Sequence, residues 1–197
     1  MENLERCAWV EAGYKDGKFP EYQTYHDLEW GVPVHDDNKQ FEFLILESAQ
    51  AGLSWATVLK KREAYREAFA QFKPEIVATF GEDKLEELLA NKGLIRNRAK
   101  LLAAINNAQR FLEVQQEWGS FSNYIWSFVE EKPIVNHWKS MADVPASTPL
   151  SDKISKDLKQ RGFKFLGTTI VYAHMQATGM VMDHTVNCFR YKELARQ

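Results

Sequence analysis

Cysteine is scarce in this sequence: two in 197 residues, Cys7 near one end and Cys188 near the other. Two thiols are too few for a disulfide scaffold, and a reducing, cytoplasmic setting is the expectation. Long apolar runs are missing as well. No stretch approaches the roughly 20 residues a membrane helix needs, so no membrane association is expected. The opening stretch Met1 to Gly13 puts no apolar run after its charges, unlike a secretory signal. Excess positive charge is also lacking, with 25 Lys and Arg against 27 Asp and Glu for a net of −2. That argues against a surface coated in positive charge but leaves room for a local basic patch facing phosphates. Strand-period alternation of useful length, internal repeats and low-complexity linkers are absent too.

What is present is apolar residues at helical spacing, with an ordinary 45% hydrophobic content. Asp36-Asp37 can cap a helix through Phe41, Leu44, Ile45 and Ser48, ended by Ala51-Gly52. Ser54 can cap the next, with Val58, Leu59, Tyr65 and Phe69 on one face. Pro74 suits the first turn of a short helix. Leu85, Leu88 and Leu89 mark another, stopped by Gly93, and a long helix carries Leu101 to Leu112. Phe121 to Phe128 predicts a short helix, and Glu131 to Pro149 an irregular connection. Two last helices run from Ser151 to Gln160 and from Gly167 to Thr178. The expectation is an all-α fold and a single mainly helical domain over 1–197.

Each cysteine has a histidine to go with it: Cys7 with His26, and His184-x-x-x-Cys188. Together they offer two sulfurs and two imidazoles, a donor set for tetrahedral zinc. The four-residue spacing predicts that one helical turn presents His184 and Cys188 on one face. From spacing alone, ordinary buried thiols, a disulfide, or satisfied core histidines explain these residues equally well. Four protein ligands would leave no position for water, so such a site would be structural. His35, His137 and His174 lack partners of this kind and read as structural or surface residues.

Trp9, Tyr22, Tyr25, Trp30 and Trp55 form a second concentration, interrupted by Glu47. Glu47 follows Leu44 by three residues and Phe43 by four, so it shares their apolar face. A carboxylate there is costly to bury unless paired or used. A hydrogen-bonded core acid held by Tyr25 or a backbone amide is the plain alternative, and dense aromatics are by default core. The basic clusters Lys60-Lys61-Arg62, Lys92 to Lys100 and Lys156 to Lys164 each read first as solvated helix faces.

Several long motifs carry a resemblance. They are Cys7-Ala8-Trp9, Tyr25-His26-Asp27-Leu28-Glu29-Trp30-Gly31-Val32-Pro33, Glu47-x-x-Gln50-Ala51-Gly52-Leu53-Ser54-Trp55, and Arg161-Gly162-Phe163-Lys164-Phe165-x-Gly167-Thr168-Thr169. With Met175-Gln176-Ala177-x-Gly179 and Asp183-His184, they resemble the 3-methyladenine DNA glycosylase I family, in order from Cys7 to Cys188. The resemblance implies a helix-hairpin-helix fold whose termini are joined by one structural Zn2+ on Cys7, His26, His184 and Cys188. It implies a base pocket of Trp9, Tyr22, Trp30 and Trp55, with Glu47 and Tyr25 as the catalytic polar contacts. Gln50 and Leu53 fall on the segment that enters the DNA stack. The hairpin Lys92-Gly93-Leu94-Ile95-Arg96-Asn97-Arg98 falls where Gly93, Arg96 and Arg98 would contact phosphates. It has one glycine and no proline where the usual hairpin is Pro-Gly-Val-Gly, and a plain helix C-cap is its bland reading. Gly13 to Glu21 is a longer segment than in the family.

The implied activity is a monofunctional glycosylase of base-excision repair, acting as a monomer on double-stranded alkylated DNA by base flipping. A cationic methylated base is already an activated leaving group, so no general base and no lysine nucleophile is nominated. Two other classes compete. A zinc-stabilised module that binds lesions without cleaving them has no evident need of Glu47 beside Tyr25. A zinc deaminase needs His-x-Glu with Pro-Cys-x-x-Cys, and neither is present.

Overall fold

The computed structural model describes residues 4–13 and 19–195. Residues 14–18 of the longer Gly13–Glu21 segment lie outside the described residues. The first elements are α1 (Ala8–Gly13), α2 (Pro20–Leu28) and α3 (Asp37–Gln50). Asp36 caps α3 by accepting from Lys39 N–H, as its position before the apolar face predicts.

The expected single helix from Ser54 to Phe69 is instead two, α4 (Trp55–Leu59) and α5 (Arg62–Ala68). Ser54 caps the first. Lys61, at φ −104° and ψ 0°, breaks the path between them. Arg62, the first residue of α5, donates to the carboxylates of both Glu29 and Glu42, which helical spacing alone does not reveal.

Then come α6 (Pro74–Val77), α7 (Glu82–Ala90), α8 (Arg98–Trp118), α9 (Phe121–Ser127), α10 (Pro149–Gln160), α11 (Thr168–Ala177) and α12 (Phe189–Leu194). The fold is mainly helical, as expected. The one exception among the described residues is a parallel pair, β1 (Ile134–Val135) with β2 (Val181–Met182), too short to show any period in sequence. No helix among the described residues is long and apolar enough to cross a membrane.

Two apolar clusters organise these elements. The larger joins α3 and α5 to α11 around Phe41, Phe111, Phe121 and Trp126, with Phe111 and Phe121 stacked at 4.2 Å. Asp37 ties α3 to α9 by accepting from the amides of Phe121 and Ser122. The smaller cluster gathers Cys7, Tyr22, Tyr25 and Trp30 from one chain end and Cys188 from the other around Phe43 of α3. Trp55 packs against both, so the seam between them runs along α3 and α4.

Gly179 closes α11 at φ +71°, where a Cβ would stand 2.4 Å from Pro33 N and Val32 C. Both the backbone region and the space favour glycine. Gly179→Ala is expected to cost about 3 kcal/mol or more, read as a lower urea midpoint with unchanged slope; a midpoint equal to wild type would contradict it.

Candidate functional site

A cavity of about 210 Å3 opens at the seam. Trp9 from α1, Tyr22 and Tyr25 from α2, and Trp30 just after it line one side. Glu47 and Gln50 from the end of α3 and Trp55 from the start of α4 line another. Trp9 meets Tyr22 at 5.1 Å and Trp30 at 5.3 Å edge to face, and Tyr25 lies tilted against Trp55 at 5.1 Å. Such contacts contribute about 0.5–1.5 kcal/mol each and set a rigid wall.

Of the buried polar atoms without a partner among the described residues, three belong to side chains lining this cavity: Glu47 Oε2, Trp9 Nε1 and Trp55 Nε1. Most buried polar atoms in folded proteins are hydrogen-bonded, so orphans converging on one cavity ask for a ligand. Glu47 is only 2% exposed, and burial pushes its carboxyl up to about 8. Burial first, and the Glu47 charge second, push the Tyr25 phenol well above its usual range. The hydrogen-bonded core acid considered from sequence is therefore not what is found. Tyr25 makes no hydrogen bond to Glu47 among the described residues; the two meet through charge.

Met141, Ala173 and Gln176 also line the cavity. Ala173 and Gln176 are three apart on α11, hence on one face. Gln176 Nε2 donates to Asp183 Oδ2, a buried carboxylate that also accepts from Asn136, Trp138 and Tyr172. Met141 falls in the irregular connection, where no periodicity marks it.

Leu53 stands apart from the cavity. It is 42% exposed, on a turn that Gly52 makes at φ +78° and Leu53 N–H closes onto Gln50 O. Between α7 and α8, Gly93 is not among the residues with positive φ; a Cβ would instead meet Ala64 Cβ at 2.7 Å. Its amide already donates to Asn91 Oδ1. The turn that Leu94 N–H closes onto Asn91 O needs no positive φ at Gly93, so close packing against α5 is why glycine sits there. Arg96 is exposed. Arg98 is exposed too, but its guanidinium is engaged by Glu82 and Glu86 of α7.

Behind the Trp30 wall, Cys7, His26, His184 and Cys188 are all buried, with their donor atoms within 4.8 Å of one another. His184 Nδ1 lies 3.5 Å from each sulfur, and His26 Nε2 lies 3.6 Å from Cys188 Sγ. The far ring nitrogens are fixed: His26 Nδ1 faces Asp27 Oδ1 at 2.8 Å, and His184 Nε2 faces Trp30 O at 2.9 Å. That is the outer shell metal-binding histidines need. The neighbouring Cys188 sulfur, and then burial, push the Cys7 thiol up, whereas Cys7 and the two histidines draw Cys188 down. The donor set can hold a metal ion, and both ends of the chain contribute to it.

The expected helical turn from His184 to Cys188 is not formed. Cys188 has extended backbone as the N-cap of α12, and its N–H donates to Thr185 O at 2.8 Å. A turn before the helix meets the same spacing, leaving Thr185 N–H directed at Cys7 Sγ. Of the other histidines, His174 is buried against Gln40, His35 packs on Trp126, and His137 contacts Tyr191, as structural residues do.

The chain resembles known proteins along nearly its whole length. It is 49% identical to DNA-3-methyladenine glycosylase 1 of Escherichia coli (strain K12) over 188 residues, 95% of this chain and 97% of that one. A crystal structure of a 3-methyladenine DNA glycosylase I superposes with a TM-score of 0.88 at 50% identity, covering 94% of this chain and 98% of that one. A tyrosine-to-phenylalanine variant of a 3-methyladenine DNA glycosylase I, in complex with 3-methyladenine, superposes with a TM-score of 0.87 at 41% identity, covering 93% and 96%. The family model for methyladenine glycosylase matches residues 15–191, and the chain belongs to that family.

Proposed function

We propose that this chain is a monofunctional DNA glycosylase that releases 3-methyladenine from alkylated double-stranded DNA. The observation that carries it is Glu47: a buried carboxylate with an unpartnered oxygen, walled by Trp9, Tyr25, Trp30 and Trp55. A base within a duplex is out of reach, so it must first be flipped into this cavity. N3-methylation makes adenine a cation. Aromatic faces attract a desolvated cation by about 2 kcal/mol, and stacking adds roughly 1–3 kcal/mol against the cost of unstacking. Glu47 accepts from the exocyclic amine and complements the charge, while the neutral phenol of Tyr25 donates or accepts beside it. Unmodified adenine lacks the charge and gains less.

The C1′–N9 bond breaks with its electron pair going to the base, which leaves neutral. Water adds to C1′ and releases one proton, leaving an abasic sugar. Glu47 acts by binding and electrostatics, without a covalent intermediate.

In this reading the turn carrying Gln50 and Leu53 enters the stack where the base leaves. Residues 91–97, between α7 and α8, serve as the hairpin of a helix-hairpin-helix element. Arg96 and the first amides of α8, which have no intrahelical partner, face phosphate. Gly93 supports that hairpin by packing on α5, and Arg98 contacts DNA only by giving up its glutamates.

The metal in this reading is one structural zinc. Tetrahedral zinc with Zn–S near 2.3 Å and Zn–N near 2.05 Å sets its S and N ligands about 3.6 Å apart. Three of the four sulfur-to-nitrogen separations, at 3.5 to 3.6 Å, fit that edge.

Incubating the protein with methylated duplex DNA and separating released bases tests the activity. Free 3-methyladenine is expected, with strand cleavage only after alkali. Tight lesion binding without free base would instead make the chain a recognition module.

A further inference from the structure

Lys100 belongs to the basic stretch that reads as solvent- or phosphate-facing, yet its ammonium turns inward. Nζ donates to Ala49 O at 2.9 Å and to Ala51 O at 2.6 Å. Among the described residues it has no ion-pair partner, and burial draws it below the usual lysine range. The last carbonyls of a helix lack intrahelical partners and carry its negative pole, so a cation there is favoured.

The two carbonyls flank Gln50, which lines the cavity, and precede the turn that exposes Leu53. Lys100 itself sits in the first turn of α8, where Asn97 caps its amide. One side chain therefore joins the start of α8, directly after the hairpin, to the end of α3 and its turn.

We infer that Lys100 is a positioning residue for duplex opening: it locks the turn of Gln50 and Leu53 to the hairpin, so that DNA held by one meets the other in fixed register. The inference rests on the reading of that turn as the segment entering the stack. Lys100 touches neither the base nor the metal cluster, so it acts on extrusion and not on recognition.

The test compares Lys100→Met, Lys100→Arg, Leu53→Ala and the Lys100→Met/Leu53→Ala double variant. Readouts are base release from methylated duplex, release from the same lesion in single-stranded DNA, and binding of free 3-methyladenine by tryptophan fluorescence. Lys100→Met is expected to lower duplex kcat/KM by about 10–100-fold, the scale of a small misplacement. Single-strand release and free-base affinity should stay near wild type. Lys100→Arg should recover part of the loss, and the double variant should be no worse than the poorer single one. Free-base affinity falling in step with duplex release would overturn the inference, since Lys100 would then merely support the pocket. Unchanged duplex release in Lys100→Met, with Leu53→Ala impaired, would overturn it while sparing the reading of the turn. Intact duplex release in Leu53→Ala would refute that reading, and the inference with it.

Discussion

Glu47→Gln is expected to lower base release by about 10²–10³-fold, the scale of losing one preorganised electrostatic contact, while raising the melting temperature. The unusual pairing of those effects follows from burial. The unfolded chain ionises Glu47 near its ordinary 4.5, whereas the folded chain does so only near 8. Between those values the native state holds the extra proton, so stability falls as pH rises through the window. Each pKa unit corresponds to about 1.4 kcal/mol, which puts the penalty at several kcal/mol. Glutamine keeps the shape and removes the titration, so its gain in melting temperature should be large at pH 8.5 and small at pH 5. Wild-type kcat/KM should climb as pH approaches 8 and Glu47 ionises, a limb the glutamine variant lacks. A destabilised variant with full activity would remove Glu47 from the site.

The second large effect concerns the metal cluster. Structural zinc in small peptides contributes roughly 10–16 kcal/mol of binding free energy. Losing even about 4 kcal/mol of it should lower Tm by roughly 8–16 °C for a chain of this size. Chelation of the purified protein, and Cys188→Ser in its presence, should both do so, with zinc measured at one per chain beforehand. The loss should reach the cavity, because His184 holds the Trp30 carbonyl and Trp30 is a cavity wall. Tryptophan fluorescence should therefore change before helical signal is lost. A metal-free protein with an unchanged melting curve would eliminate the zinc reading and leave Cys7 and Cys188 as buried thiols.

How far the sequence could be read depended on whether a residue's task is local. Caps such as Asp36 and Ser54 act within one turn and were legible. So was the burial of Glu47, fixed by its helical phase with Phe43 and Leu44. The assembly of Cys7 and His26 with His184 and Cys188 was open from spacing alone, and only the long motifs around them favoured it. Tertiary partners were not legible. Nothing local tells that Arg62 reaches Glu29, that Arg98 is met by Glu82 and Glu86, or that Lys100 turns onto Ala49 and Ala51. The same applies to Met141 and Gln176, which other elements bring to the cavity, and to the two-residue strands.

In the proposed function, the cavity of Glu47 and the tryptophans selects a charged, methylated base. Titrating free 3-methyladenine and unmodified adenine against wild type and Glu47→Gln, with tryptophan fluorescence as the readout, tests it most directly. Saturable quenching by 3-methyladenine, none by adenine at equal concentration, and a marked loss of affinity in the variant are predicted. Equal binding of the two bases, or undiminished affinity in Glu47→Gln, would contradict it.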